Sequence, residues 1–290
     1  MQKLTALFLL LAASQSQAAT QTVDCGRLLD VRAGVWREKV SIVIENGKIT
    51  SVGPLAAGAG HLDLSHHACL PGLIDMHVHL TGETQKQVDT MRDALTLNPA
   101  DYALRSVNMA ERTLMAGFTT VRDLGAGDGL NVSLKRAIDS GAVKGPRMFT
   151  AGKSIATTGG HADPTNSLSQ RLSRALGNPG PAEGVVNSAE DGRQAVRYRY
   201  KEGADLIKVT ATGGVLSQAR NSHNPQYTVD ELRAIVVAAK DYGFRVAAHA
   251  HGAEGLKRAL RAGVDSIEHG TFMDEEALAL FKKHGVWYVP

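Results

Sequence analysis

The rhythm of apolar and polar positions changes once along the chain, just past residue 70. From Thr22 to Pro54 apolar and polar residues alternate, as along Val40-Ser41-Ile42, which is the period of a half-exposed strand. Asn46-Gly47 separates the run Val40 to Ile44 from Lys48 to Val52, a strong hairpin signal. A small antiparallel unit is therefore expected. Gly58 to Gly60 follows, with His61, His66 and His67. These histidines share no strand face, so the stretch reads as a solvated loop.

Beyond it the chain alternates strands and helices. Leu73 to Met76 is a short apolar run opened by Pro71-Gly72, which predicts a buried strand. Pro99 to Ala116 has helical spacing, and Phe118 to Val121 is a strand stopping at Arg122-Asp123. Asn131 is placed to cap a helix running to Ser140. Met148 to Ala151 is the third strand of the series. The excursion from Gly152 to Asn187 is too long for an ordinary connector. Ser188 opens a helix to Gly203, and Leu206 to Thr210 is the fourth strand. Thr228-Val229-Asp230-Glu231 is a capping box for a helix to Tyr242. Arg245 to Ala250 and Ser266 to Glu268 are strands, each followed by a helix, Ala253 to Ala262 and Asp274 to His284. Val286 to Val289 starts one more strand. Such alternation implies parallel βα units, in a barrel or an open sheet.

Composition narrows the class. The 290 residues are 43% hydrophobic and 21% charged, which suits a globular chain with a large core. A net charge of +3 without a basic, aromatic-interleaved stripe gives no support to nucleic-acid binding. Lys3, the apolar run Leu4 to Ala13 and Ser16-Gln17-Ala18 read as a secretory signal cut after Ala18 or Ala19. The run is too short to span a bilayer, so the mature chain is expected off the membrane, periplasmic or secreted. An oxidising compartment permits a disulfide between Cys25 and Cys69, and two buried thiols fit equally well.

The candidate chemistry sits at strand ends. His77 and His79 are two apart, so on a strand they face the same way and offer a chelating imidazole pair. Lys208, His249 and His269 each end a later apolar run. Side chains gathered at the C-terminal ends of several parallel strands are how barrel enzymes build sites. No Gly-rich phosphate loop follows the first strand, which weighs against an open dinucleotide-type sheet.

With Gly72-Leu73-Ile74-Asp75-Met76-His77-Val78-His79, Leu206-Ile207-Lys208, Ala248-His249-Ala250 and Ile267-Glu268-His269-Gly270 in this order, the chain resembles the amidohydrolase superfamily. The likeness is to its Xaa-Pro dipeptidase-like and imidazolonepropionase-like branch. Thr157 to Pro164, Thr-Thr-Gly-Gly-His-Ala-Asp-Pro, is similar to the dipeptidase side. The resemblance implies an α/β fold, a (β/α)8 barrel of TIM type of which 71–290 holds strands one to seven, without strand eight, and a β-sandwich subdomain to which 20–70 contributes after the signal at 1–19. It implies two divalent metals, zinc by preference, held by His77, His79, Lys208, His249 and His269. A neutral buried lysine can take up carbon dioxide, and the Lys208 carbamate would bridge the metals. A salt-bridged lysine at the barrel mouth is the alternative.

His161 would donate to the scissile carbonyl, or as an exposed loop histidine do nothing. His251 shares a face with His249 and is the rival ligand. Tyr227 and Arg220 lie in the loop after strand four, where a substrate carboxylate could dock. The activity implied is hydrolysis of amide bonds in short peptides by a dipeptidase or carboxypeptidase, with a homo-oligomer as one possible assembly. Cyclic amide hydrolysis of the imidazolonepropionase type is the enzymatic alternative, and a non-catalytic metal-binding fragment is the other. The second arises because the family's strand-eight aspartate, the proton shuttle, has no counterpart in the sequence, which ends at Pro290. Weak hydrolysis by this stretch alone is the corresponding expectation.

Overall fold

The computed structural model describes residues 20–56, 58, 60–82, 87–166, 168–215, 217 and 221–290. The expected signal segment and Arg220 lie outside the described residues. The chain forms two units, the first ending at Pro71 and the second running Gly72–Pro290.

In the first unit the alternating pattern gives β1 (Gln21–Asp30), β2 (Val35–Glu45) and β3 (Lys48–Pro54), with β4 (His61–Cys69) completing a four-stranded sheet in the order β3-β2-β1-β4. The Asn46-Gly47 hairpin forms as expected. Both residues have positive φ, 53° and 71°, and Glu45 pairs with Lys48. Asn and Gly accept that backbone cheaply, which is why they mark such turns. The expected histidine loop is instead strand β4, parallel to β1. Its partner lies some forty residues upstream, and His61 is held by Asp24 across the pair at 2.9 Å. Cys25 and Cys69 are joined in a disulfide between these two strands.

The second unit alternates as its periodicity predicts. It runs β5 (Leu73–Val78), α1 (Gln87–Thr96), α2 (Pro99–Met115), β6 (Phe118–Asp123), α3 (Leu130–Asp139), β7 (Arg147–Thr150), α4 (Gln170–Leu176) and α5 (Ala189–Glu202). Then come β8 (Ile207–Thr210), α6 (Val229–Asp241), β9 (Val246–Gly252), α7 (Ala253–Ala262), β10 (Ser266–Phe272), α8 (Glu275–His284) and β11 (Trp287–Val289). The strands pair parallel throughout, as β5-β6-β7 and β8-β9-β10-β11. Ile155, in the long excursion, bridges to Val209 of β8 and bonds Lys208 and Thr210, while Asp205 N donates to Thr150 O beside β7. The two sheets are thus linked by Asp205, just before β8, to Thr150 of β7 and by Ile155, beyond β7, to β8. The described strands do not close on themselves.

The core lies between β8 to β10 and helices α5 to α8, with Ile207, Val209, Ile235, Leu256, Leu260 and Ile267 essentially inaccessible. Strands covered on both faces read as continuous apolar runs, and β9 is buried along its whole length. The run Leu73 to Met76 forms strand β5 but not the buried one expected, since no described element covers Leu73, Ile74 and Met76 and all three are exposed. Thr228 accepts from Glu231 N while the Glu231 carboxylate accepts from Thr228 N, so the predicted capping box is present. Asn131 departs from expectation. It sits inside α3, behind Gly129 at the cap, and its buried amide donates to Asp123 Oδ1 and Gly152 O. A buried carboxylate at the end of β6 needed a donor there, and that demand outweighed capping. No helix among the described residues is long and apolar enough to cross a membrane.

Candidate metal centre

Five imidazoles and one amine converge from the end of β5, from within β8, β9 and β10, and from the excursion after β7. His77 and His79 come from the first of these, their ring centroids 5.4 Å apart, so the shared face read from their spacing is present. The His77 ring lies 4.9 Å from that of His269, which lies 4.8 Å from His249. His161 stacks on His249 at 4.3 Å. Lys208 Nζ is 3.5 Å from His77 Nε2. The predicted set is therefore one constellation.

His251 belongs to it as well. His249, His251 and His269 each offer a ligand atom within 4.8 Å of the others, and His251 Nδ1 is paired with the Thr271 hydroxyl at 2.8 Å. Tyr227 is placed differently from these histidines: its ring packs in the main core, and its hydroxyl has no partner among the described residues.

Backbone and neighbours fix these side chains. His269 has φ of 73°, the left-handed region, which costs an L-residue about 1–2 kcal/mol and is found where a site demands an orientation. Tyr288 of β11 donates to His269 O at 3.0 Å and helps hold that bend. His79 Nδ1 donates to Gly125 O at 2.8 Å, and His249 Nε2 to Gly213 O at 3.0 Å. A carbonyl only accepts, so the other nitrogen of each ring keeps its lone pair. His77 Nδ1 lies 3.3 Å from Glu268 Oε2. Partners of this kind on the far nitrogen are what metal-ligating histidines carry.

Electrostatics favour neutral donors. Burial, then Lys208 and the neighbouring imidazoles, holds His161 down to about 4. Burial, then His77 and Lys208, does the same to His269, at about 4. Burial and then His161 push His249 far below the usual imidazole range. Burial lowers Lys208 to about 8, only partly opposed by Glu268. The largest single effect on Glu268 is burial, which raises it, but His77, Arg122, Ser266 and Lys208 together outweigh that and keep it ionised. Neutral imidazoles facing one another beside a buried amine are a nitrogen-rich donor set that suits zinc. The residues present fit a divalent cation site.

Sequence reasoning missed three members. Glu268 is fully buried and reaches Arg122, a residue 146 positions away. A charged residue inside an apolar strand was a signal that a partner must exist, but not which one. Asp163 organises the loop carrying His161, accepting from Gly159 N and from the amide and hydroxyl of Thr165. Gly214 lies against the His161 ring. Asp265 and Asp274 have structural partners: Asp265 takes Arg245 and Val246 N, and Asp274 caps α8 and binds Lys257.

A model of the amidohydrolase family matches residues 68–290. Ochratoxinase from Aspergillus niger is 34% identical over 228 residues, covering 76% of this chain and 47% of that protein. A solved Xaa-Pro dipeptidase with methionine in its active site is similar at a TM-score of 0.88 and 46% identity, across 94% of this chain and 66% of that one. A prolidase complexed with N-methylphosphonate-L-proline gives 0.83 at 34% identity over the same shares. The chain thus spans about half the length of the curated relative and somewhat under two thirds to two thirds of the solved ones. The family match covers most of the sequence, and it includes every strand that carries a ligand candidate: the chain belongs to the amidohydrolase family.

Proposed function

We propose that this protein is a metal-dependent dipeptidase or carboxypeptidase that hydrolyses the amide bond of short peptides. The observation that carries the reading is the gathering of His77, His79, Lys208, His249 and His269 from four parallel strands, with the lysine buried. The dipeptidase and prolidase likenesses favour peptides, and Xaa-Pro dipeptides are the first substrates to try. The seven parallel strands follow one another as in a (β/α)8 barrel, and we take the whole protein to complete one.

His77 and His79 would hold one cation and His249 and His269 a second, with Lys208 between the two pairs as a carbamate. Two zinc-like ions there would supply hydroxide near neutral pH and polarise the scissile carbonyl. The chain's own part is positioning and proton placement. His161, neutral and stacked on His249, has a buried Nδ1 without a partner among the described residues. Either ring nitrogen carrying the proton can donate to the carbonyl oxygen as negative charge grows on it, a contribution of about 10²–10³ in rate for one such donor. Burial of Lys208 lowers the fraction of its charged form, the condition for carbamate formation. Tyr227, whose hydroxyl has no partner among the described residues, is the candidate for the substrate carboxylate, together with Arg220. A lysine carbamate belongs with a two-cation site, which favours this reading over a cyclic amide hydrolase of the imidazolonepropionase kind. Export to the periplasm is part of the proposal, and the Cys25–Cys69 disulfide supports it.

The test is release of free amino acid from Xaa-Pro and Xaa-Arg dipeptides by zinc-loaded protein, beside a cyclic amide. Turnover of dipeptides alone is expected. Fast turnover of the cyclic amide with none of the dipeptides would overturn the assignment.

A further inference from the structure

Arg122 and Glu268 form a buried ion pair beside the site that the proposed chemistry does not use. Glu268, from β10, is wholly inaccessible. Its Oε1 accepts from Arg122 Nη2 at 2.7 Å and from the Ser266 hydroxyl at 2.6 Å. The remaining Arg122 donors go to Ser266 Oγ, from Nη1 at 3.1 Å, and to Met76 O, from Nε at 2.6 Å. One guanidinium thus ties β6 to β10 and to the residue just before His77. Oε2, the other carboxylate oxygen, receives no hydrogen bond of good geometry among the described residues, yet it is buried and lies 3.3 Å from His77 Nδ1. On the opposite edge of that ring, Nε2 is 3.5 Å from Lys208 Nζ.

We propose that Glu268, oriented by Arg122 and Ser266, is the positioning residue of His77, holding its proton on Nδ1 so that the Nε2 lone pair faces the cation site beside Lys208. A neutral imidazole carries one proton, and a carboxylate oxygen can only accept. With Oε2 3.3 Å from Nδ1, the tautomer with its proton on Nδ1 turns an N–H dipole toward the carboxylate charge, while the other would set two lone pairs against each other. Arg122 keeps the carboxylate ionised where burial would otherwise neutralise it. The inference rests on the metal reading only for its consequence, since the tautomer is a property of the cation-free protein.

Glu268→Gln makes the sharpest perturbation because it preserves shape. Arg122 and Ser266 both donate, so they claim the amide oxygen, and the amide NH2 is left facing His77 Nδ1. The variant should therefore move the His77 proton to Nε2. Histidine ring nitrogens labelled with 15N in cation-free protein report this directly, with His77 assigned by its disappearance in His77→Gln. Expected are an Nδ1-protonated His77 in the native protein and an Nε2-protonated one in Glu268→Gln. Zinc affinity, read by competition with a chromophoric chelator, should fall about 10–100-fold in the variant. An Nε2-protonated His77 in the native protein overturns the proposal, as does unchanged zinc affinity in a folded variant. If Glu268→Gln does not fold, the native spectrum alone decides. Failure of the native protein to bind zinc, with the Nδ1 tautomer observed, would instead count against the proposed function.

Discussion

A single methyl group at position 214 probes the role of His161. A Cβ on Gly214 would stand 2.4 Å from His161 Cε1, 2.6 Å from Nδ1 and 2.7 Å from Nε2. Non-bonded carbons settle at about 3.5–4.0 Å, so the ring must retreat by about 1 Å. It cannot retreat onto His249, which is stacked against it at 4.3 Å. Its backbone is held by Gln226, which accepts from His161 N at 3.1 Å, and by the Asp163 bonds across the loop. The φ of Gly214 is not in the left-handed region, so alanine is compatible with the backbone. The whole effect then falls on the placement of one ring. A misplacement of about 1 Å costs about 10²-fold in rate. Gly214→Ala should therefore lower kcat/KM for dipeptide hydrolysis about 10²-fold while zinc content stays at the native level. On a His161→Ala background the same substitution should change kcat/KM little, because the group it displaces is gone. Native turnover by Gly214→Ala, or equal losses on both backgrounds, would refute the role given to His161.

Two further outcomes follow from the same site. Lys208→Ala should lose activity that short carboxylic acids partly restore, since they supply the two oxygens of the carbamate; no rescue in a variant that still binds zinc at His77 and His249 would count against the carbamate. In the cation-free protein, His161 and His269 stay neutral down to about 4 against an ordinary 6.5. Between those values the unfolded chain binds protons that the folded one does not, so stability is intact above pH 6.5 and falls as the pH drops toward 4. Thermal melts across that window should show Tm declining with acid, and a flat profile would contradict the neutral-imidazole site.

Much of this was legible because it is local. Period-two alternation with Asn46-Gly47 located a hairpin, and Thr228 with Glu231 located a helix start, since each signal lies within a few residues of its structural effect. The clustered histidines were legible for a related reason: each follows or closes an apolar run, and parallel strands bring such positions to one face. What escaped depends on pairing across the chain. Strand β4 forms because β1 offers it an edge, which its own histidine-rich sequence does not reveal. Asn131 resembled a cap until the buried Asp123 claimed its amide. Glu268 and Arg122 were both visible as charges at strand ends, but only the fold sets one against the other and both beside His77.

The central claim is that His77, His79, Lys208, His249 and His269 together hold the cations on which hydrolysis depends. Anomalous scattering at the zinc edge from crystals of active protein, with elemental analysis of the same sample, tests it most directly. The account predicts two peaks, one beside His77 and His79 and one beside His249 and His269, with density joining Lys208 Nζ to a carboxylate-like group between them. Active protein with no metal, or with its zinc bound away from these five residues, would contradict it.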